Sequence, residues 1–154
     1  MSEATALAPA TDPGILKGAI LSGVINAVIN GTIQWFLLAD HAPVPLTVDG
    51  ITNDEHTVFG AAVPLAVSLA MILTAVGYLT VKKPKPPFFP TFLLLTLKHG
   101  FLALGVFVTV AVFWQRIFGS ISVSLLGAVL ILGVFAGLVS AWVNYLTIRA
   151  ASVR

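Results

Sequence analysis

The sequence predicts an all-α fold: a polytopic membrane protein built as a bundle of four transmembrane helices, with both termini on the cytoplasmic side. Three observations predict it. The 154 residues are 58% hydrophobic and only 9% charged, with a mean hydropathy of +1.02, whereas a soluble domain carries about 25% charged residues. The apolar residues fall into four runs, each long enough to cross the roughly 30 Å of bilayer hydrocarbon. The basic residues concentrate at the run ends that a four-pass chain places on one side. Absence of cysteine excludes disulfides and thiolate chemistry. Absence of a basic stripe argues against nucleic acid as a partner.

Met1 to Pro9 is small and nearly uncharged and lacks a basic leader region, so residues 1–12 are expected to form a loose, disordered cytoplasmic tail before an uncleaved first span. Asp12-Pro13 is a helix start, because Asp can cap and Pro is tolerated at the first helical position. The first span is expected over about 13–39. Asp40 to Thr52 reads as a polar loop with Pro43, Pro45 and Gly50. Thr52-Asn-Asp-Glu55 fits a capping box and starts a second span over about 53–81. Pro64 inside that span removes one backbone bond and bends the helix on its outer side.

Lys82-Lys83-Pro84-Lys85-Pro86-Pro87 ends the second span. It reads chiefly as a determinant of topology, with anionic lipid at Lys82, Lys83 and Lys85 as the other use of such a cluster. Phe88, Phe89 and Phe92 around Pro90 look like an interfacial anchor, opening a third span over about 90–118. Gly119-Ser120 is expected to turn the chain into a fourth span over about 121–148. The transmembrane domain is then 13–149, with 150–154 a second cytoplasmic tail. Trp35, Trp114 and Tyr145 fall near span ends, as an aromatic belt does. Lys17, Lys82, Lys83, Lys85, Arg149 and Arg154 share one side, and Arg116 is the lone base on the other. The positive-inside rule then gives N-in and C-in, in the cell (inner) membrane.

The first span carries the strongest local pattern. Ser22, Asn26, Asn30 and Gln34 recur at steps of four, about 40° apart around a helix, and so form one slowly drifting polar stripe. Gly23, Ala27 and Gly31 run beside it, and Leu21, Val24, Val28 and Trp35 lie opposite. A carboxamide in hydrocarbon needs a partner, so this side is expected to face protein or water, with the other helices arranged around it. The fourth span repeats the device, with Gly133, Gly137 and Ala141 as a close-packing face beside Ser140 and Asn144. Lys98-His99 places two ionisable groups about two turns into the third span, where such residues mark functional sites or, for Lys, snorkel to the interface.

Ser22, Asn26, Lys98, His99, Ser140 and Asn144 all belong to the inner half. The expectation is a polar pocket between the first, third and fourth helices, open toward the cytoplasm. The alternative is that the carboxamides are interhelical glue. His41 and His56 flank the outer loop, and two histidines alone do not make a metal site. No enzyme motif or cofactor motif is present, and no carboxylate lies within a span beyond Asp54 and Glu55 in the first turn of the second. The function expected is a small channel or permease for a small solute, acting as a homo-oligomer through its glycine faces. The alternative is an accessory or structural subunit of a larger membrane complex, with no transport of its own.

Overall fold

A computed structural model describes residues 13–51, 56–80 and 87–152. Four helices in it are long and apolar enough to cross a membrane. They are α1 (Pro13–Leu38), α2 (Val58–Thr80), α3 (Leu93–Phe118) and α4 (Leu125–Ser152). Between α1 and α2 come a short turn, Ala39–His41, and a strand, β1 (Val44–Leu46). A wide turn at Phe88–Phe92 precedes α3, and strand β2 (Ile121–Val123) separates α3 from α4.

β1 and β2 pair antiparallel, with Val44 opposite Val123, Pro45 opposite Ser122 and Leu46 opposite Ile121. A two-stranded ribbon has only edges, so Pro45, which has no N–H, is tolerated in it. The ribbon fixes the α1–α2 and α3–α4 connections at one end of the bundle, the sheet end. The start of α1, the end of α2, the start of α3 and the end of α4 lie at the other, the termini end. Gln115 braces the sheet end: its Nε2 donates to Ser120 Oγ (2.7 Å), its Oε1 accepts from the Val48 N–H (3.4 Å), and Ser120 Oγ donates to Thr47 Oγ1 (3.0 Å).

Helix boundaries differ from the sequence expectation at four points, one being that α4 continues to Ser152 instead of ending near Ile148. α2 starts at Val58 rather than near Asn53, because Thr57 is the cap, its Oγ1 accepting from the Gly60 N–H at 3.0 Å. The expected capping box at Thr52–Glu55 lies outside the described residues, as do 1–12, the Lys82, Lys83 and Lys85 cluster, and Arg154. α4 starts at Leu125 rather than Ile121, because Ile121–Val123 pairs as a strand and Ser124 accepts from the Gly127 N–H (3.2 Å). The chain leaves α3 through Gly119, whose φ of +70° favours glycine and whose N–H donates to the Gln115 carbonyl at 3.0 Å. α3 proper begins at Leu93, Pro90 lying in the turn before it.

The helices pack in the order α1–α4–α2–α3. α1 is therefore an edge helix and not the hub expected of it. Half of the most apolar stretch of α2 is buried (50%), against 17% for α1 and 11% for α3. The core lies mainly on α2 and α4. Leu38, Val44, Leu46, Val58, Phe59 and Leu132 close it at the sheet end, and Ala66, Leu69, Ala70, Ala103, Val139 and Val143 continue it along the bundle. Phe107 meets Phe135 edge to face between these two zones (5.1 Å, 90°). Tyr78, Phe88 and Phe92 cluster where α2 and α3 meet at the termini end.

α1 approaches α4 most closely through small residues. A Cβ built on Gly23 would sit 2.8 Å from the Gly137 carbonyl oxygen and 3.0 Å from the Ala141 Cβ. One on Gly137 would sit 3.1 Å from the Ala27 Cβ, and one on Gly133 3.1 Å from the Ala27 carbonyl oxygen. Gly31 stands over Gly133. Close backbone approach of this kind is what associates helices where no hydrophobic drive exists between them.

Candidate functional site: the polar stripe of α1 and the cleft beside α2

Steps of four put each side chain of the α1 stripe over the carbonyl of the one before it, and two of the four use it. Asn26 Nδ2 donates to the Ser22 carbonyl and Asn30 Nδ2 to the Asn26 carbonyl, both at 2.9 Å. These bonds lie within α1. Neither carboxamide bridges to another helix, so the side chains are not interhelical glue among the described residues. Each leaves its Oδ1 without a donor among them. Ser22, Asn26 and Asn30 are half-buried. Gln34, the last member, is 7% exposed and makes no hydrogen bond among the described residues.

The remaining polar residues fall elsewhere. α1 packs on α4 and α3 packs on α2, so the first, third and fourth helices do not converge on one pocket. Ser140 is fully buried, its Oγ donating to the Ala136 carbonyl at 2.7 Å. Asn144 is half-buried with no side-chain hydrogen bond among the described residues. Lys98 is exposed and has no partner among them. Gly23, Ala27, Gly31, Gly133, Gly137 and Ala141 all lie in the α1–α4 contact. That use within the chain removes them as a reason for self-association.

His99 is buried at the α2–α3 contact, its Nδ1 2.8 Å from Thr74 Oγ1. The Thr74 hydroxyl is also placed to donate to the Ala70 carbonyl (2.7 Å). With its one proton directed there, Thr74 accepts from His99 Nδ1–H, and His99 Nε2 carries the lone pair. The pair is a tie between two helices. Gly100 beside it lets Met71 approach, a Cβ there meeting the Met71 Cγ at 2.9 Å. Sequence reasoning found His99 but missed Thr74, because a threonine that can bond its own helix gives no sign of a partner. It also missed Thr147, and it placed Trp114 in an aromatic belt without foreseeing that its Nε1 is buried. The Thr147 Oγ1 and Trp114 Nε1 are buried with no hydrogen-bond partner among the described residues.

At the sheet end the α1 stripe opens on a cleft against α2. Its cavity, about 330 Å³, is lined by Gln34, Leu37 and Leu38 of α1, by His56, and by Ala61, Pro64, Leu65 and Ser68 of the start of α2. Ser68 Oγ donates to the Pro64 carbonyl (2.8 Å) or the Leu65 carbonyl (3.1 Å) and so faces outward as an acceptor. The His56 ring stacks on His41, centroids 3.6 Å apart and 16° from parallel. Among the described residues no group of three or more His, Asp or Glu is placed to hold a metal ion. On the other flank of α1 a groove of about 480 Å³ runs between α1 and α4, lined by Ala27, Gly31, Trp35, Val129, Gly133 and neighbours.

The chemistry on offer is mainly carboxamide and hydroxyl donors and acceptors along one edge helix, with His56 the one titratable side chain among the described residues lining the cleft. Comparison with protein-family models, with curated proteins and with solved structures finds no match in any of the three.

Proposed function

We propose that this chain is a multi-pass protein of the cell (inner) membrane, with both termini cytoplasmic, and that it acts as a homo-oligomeric permease. In it, the polar stripe of α1 lines a path for a small uncharged solute between copies. The observation that carries the reading is the pair of open acceptors, Asn26 Oδ1 and Asn30 Oδ1, half-buried in the middle of an apolar helix. A polar atom without a donor in hydrocarbon costs roughly 2–7 kcal/mol, so donors from water, solute or a second chain are required there. Ser22 to Gln34 extends about 18 Å along the helix axis, more than half the hydrocarbon thickness. The neutral side chains favour an uncharged solute over an ion. The orientation rests on Lys17 and Arg149 at the termini end, with Lys82, Lys83 and Lys85 between α2 and α3.

Liposomes containing only this protein test the reading. Uptake of small neutral solutes such as glycerol or urea, lost on Asn30→Leu, supports it. Absence of flux across neutral solutes, anions and cations rejects it. That absence leaves a second reading, an accessory subunit whose α1 stripe is covered by a different membrane protein. One observation favours this alternative: the small-residue faces are already occupied within the chain, so nothing in them demands a second copy.

A further inference from the structure

We propose that the cleft between α1 and α2 at the sheet end binds the head of an uncharged, glyceride-type lipid, gripped by the Gln34 carboxamide. This inference does not rest on the permease reading, since a lipid can occupy the cleft whether or not a solute crosses beside it.

Gln34 is the reason. It is more than nine-tenths buried, lines the cavity, and has no hydrogen-bond partner among the described residues. A buried carboxamide carries two N–H donors and an acceptor, and leaving them unmet is unfavourable. The cavity supplies the partner's shape. Leu37, Leu38, Ala61 and Leu65 form an apolar wall, and Ser68 presents a hydroxyl oxygen on the α2 side. Pro64, also in the lining, has no N–H to give the Gly60 carbonyl, so a second acceptor on the proline side of α2 lacks its helical donor.

The occupant follows from these groups. An uncharged group fits the cavity, because among the described residues no Asp, Glu, Lys or Arg lines it and His56 is its one titratable side chain. It must carry a carbonyl to accept from Gln34 Nε2 and a hydroxyl to donate to Gln34 Oε1 or Ser68 Oγ. It must also continue into hydrocarbon, because the rest of the wall is apolar. Gln34 lies four residues before the end of α1 at Leu38, about 6 Å below the helix end, which is the depth of ester and hydroxyl groups in a bilayer. At about 330 Å³ the cavity is at the small end of ligand pockets, enough for a glycerol ester and the first carbons of one chain.

The test uses the full chain in phosphatidylcholine vesicles with a monoacylglycerol bearing a photoreactive group near its ester, and cross-links mapped by mass spectrometry. The expected result is labelling concentrated at the end of α1 and the start of α2. Unlabelled monoolein should compete, and oleate and free glycerol should not. Gln34→Leu and Gln34→Met, which keep the bulk and remove the hydrogen bonds, should each lower the labelling about tenfold, the equivalent of two hydrogen bonds of ordinary strength. Thr32→Val, on an exposed face of α1, should leave it unchanged. Labelling spread over every lipid-facing surface, equal competition by oleate, or cleft labelling indifferent to both Gln34 variants would each overturn the proposal. Should neither variant fold, the map and the competition on the native chain decide it.

Discussion

Gly23→Ala is the sharpest probe of how this bundle is assembled. The new methyl would lie 2.8 Å from the Gly137 carbonyl oxygen, 3.0 Å from the Ala141 Cβ and 3.6 Å from the Ala141 nitrogen. Two of these three atoms belong to backbone, so no rotamer change relieves the contact. Ordinary carbon contacts lie at about 3.5–4.0 Å, and α1 must therefore move off α4 by roughly half an ångström or more. Overpacking of this kind costs about 1–3 kcal/mol. Gly18 is the internal control, with nothing within 4 Å of the position its Cβ would take. Gly18→Ala should be neutral or slightly stabilising, by up to about 1 kcal/mol, since alanine is the better helix former. Reversible unfolding in mixed micelles, followed by helical circular dichroism, measures both. Ala141→Gly added to Gly23→Ala should recover part of the loss, because it removes the 3.0 Å contact and leaves the 2.8 Å one. Equal stability of the Gly18 and Gly23 variants would refute the close α1–α4 contact.

Thr147→Val should be neutral or stabilising by up to about 1–2 kcal/mol, since it removes a fully buried hydroxyl that has no partner among the described residues and keeps the shape; a clear loss in the same unfolding assay would mean the hydroxyl is bonded. Gly77→Ala should destabilise by about 1–3 kcal/mol, its Cβ meeting the buried Thr147 methyl at 2.9 Å, and Thr147→Ser should relieve it. Thr74→Val should cost about 1–3 kcal/mol by leaving His99 Nδ1 buried without its partner, and should shift that ring's NMR signals, whereas an unchanged spectrum contradicts the tie. Gln115→Ala should loosen the sheet end, seen as faster amide exchange at Val48 and Ile121 with little change in the helices, because its contacts join both connections there.

Hydropathy reaches far in this chain because spanning is a sum over some twenty residues, insensitive to any one of them. The four long helices were readable for that reason, and the stripe in α1 because its period of four is local. What depends on a single side chain or on a distant partner was not readable. Thr52 and Thr57 have the same capping chemistry, and only the path of the chain selects Thr57 at the start of α2. Val44–Leu46 and Ile121–Val123 are too short to signal strands, and each is a strand only because the other lies beside it. The glycine faces on α1 and α4 could be seen, but spacing does not say whether such faces meet each other or another molecule. Here they meet each other, and this moved α1 to the edge of the bundle. The pocket expected from Lys98, His99, Ser140 and Asn144 depended on which helices adjoin. Once α3 lay on α2, His99 found Thr74 instead.

The central claim is that the polar side of α1 is met by water and not by acyl chains or a dry protein contact. The chain has no cysteine, so Asn26→Cys and Val28→Cys each place one thiol on the same helix, Val28 being 65% exposed on its apolar side. A charged, water-soluble methanethiosulfonate applied to the protein in liposomes should label position 26 and leave position 28 unmodified. Position 26 as inert as position 28 would mean that the stripe faces lipid or a dry contact, and the path assigned to it would be lost.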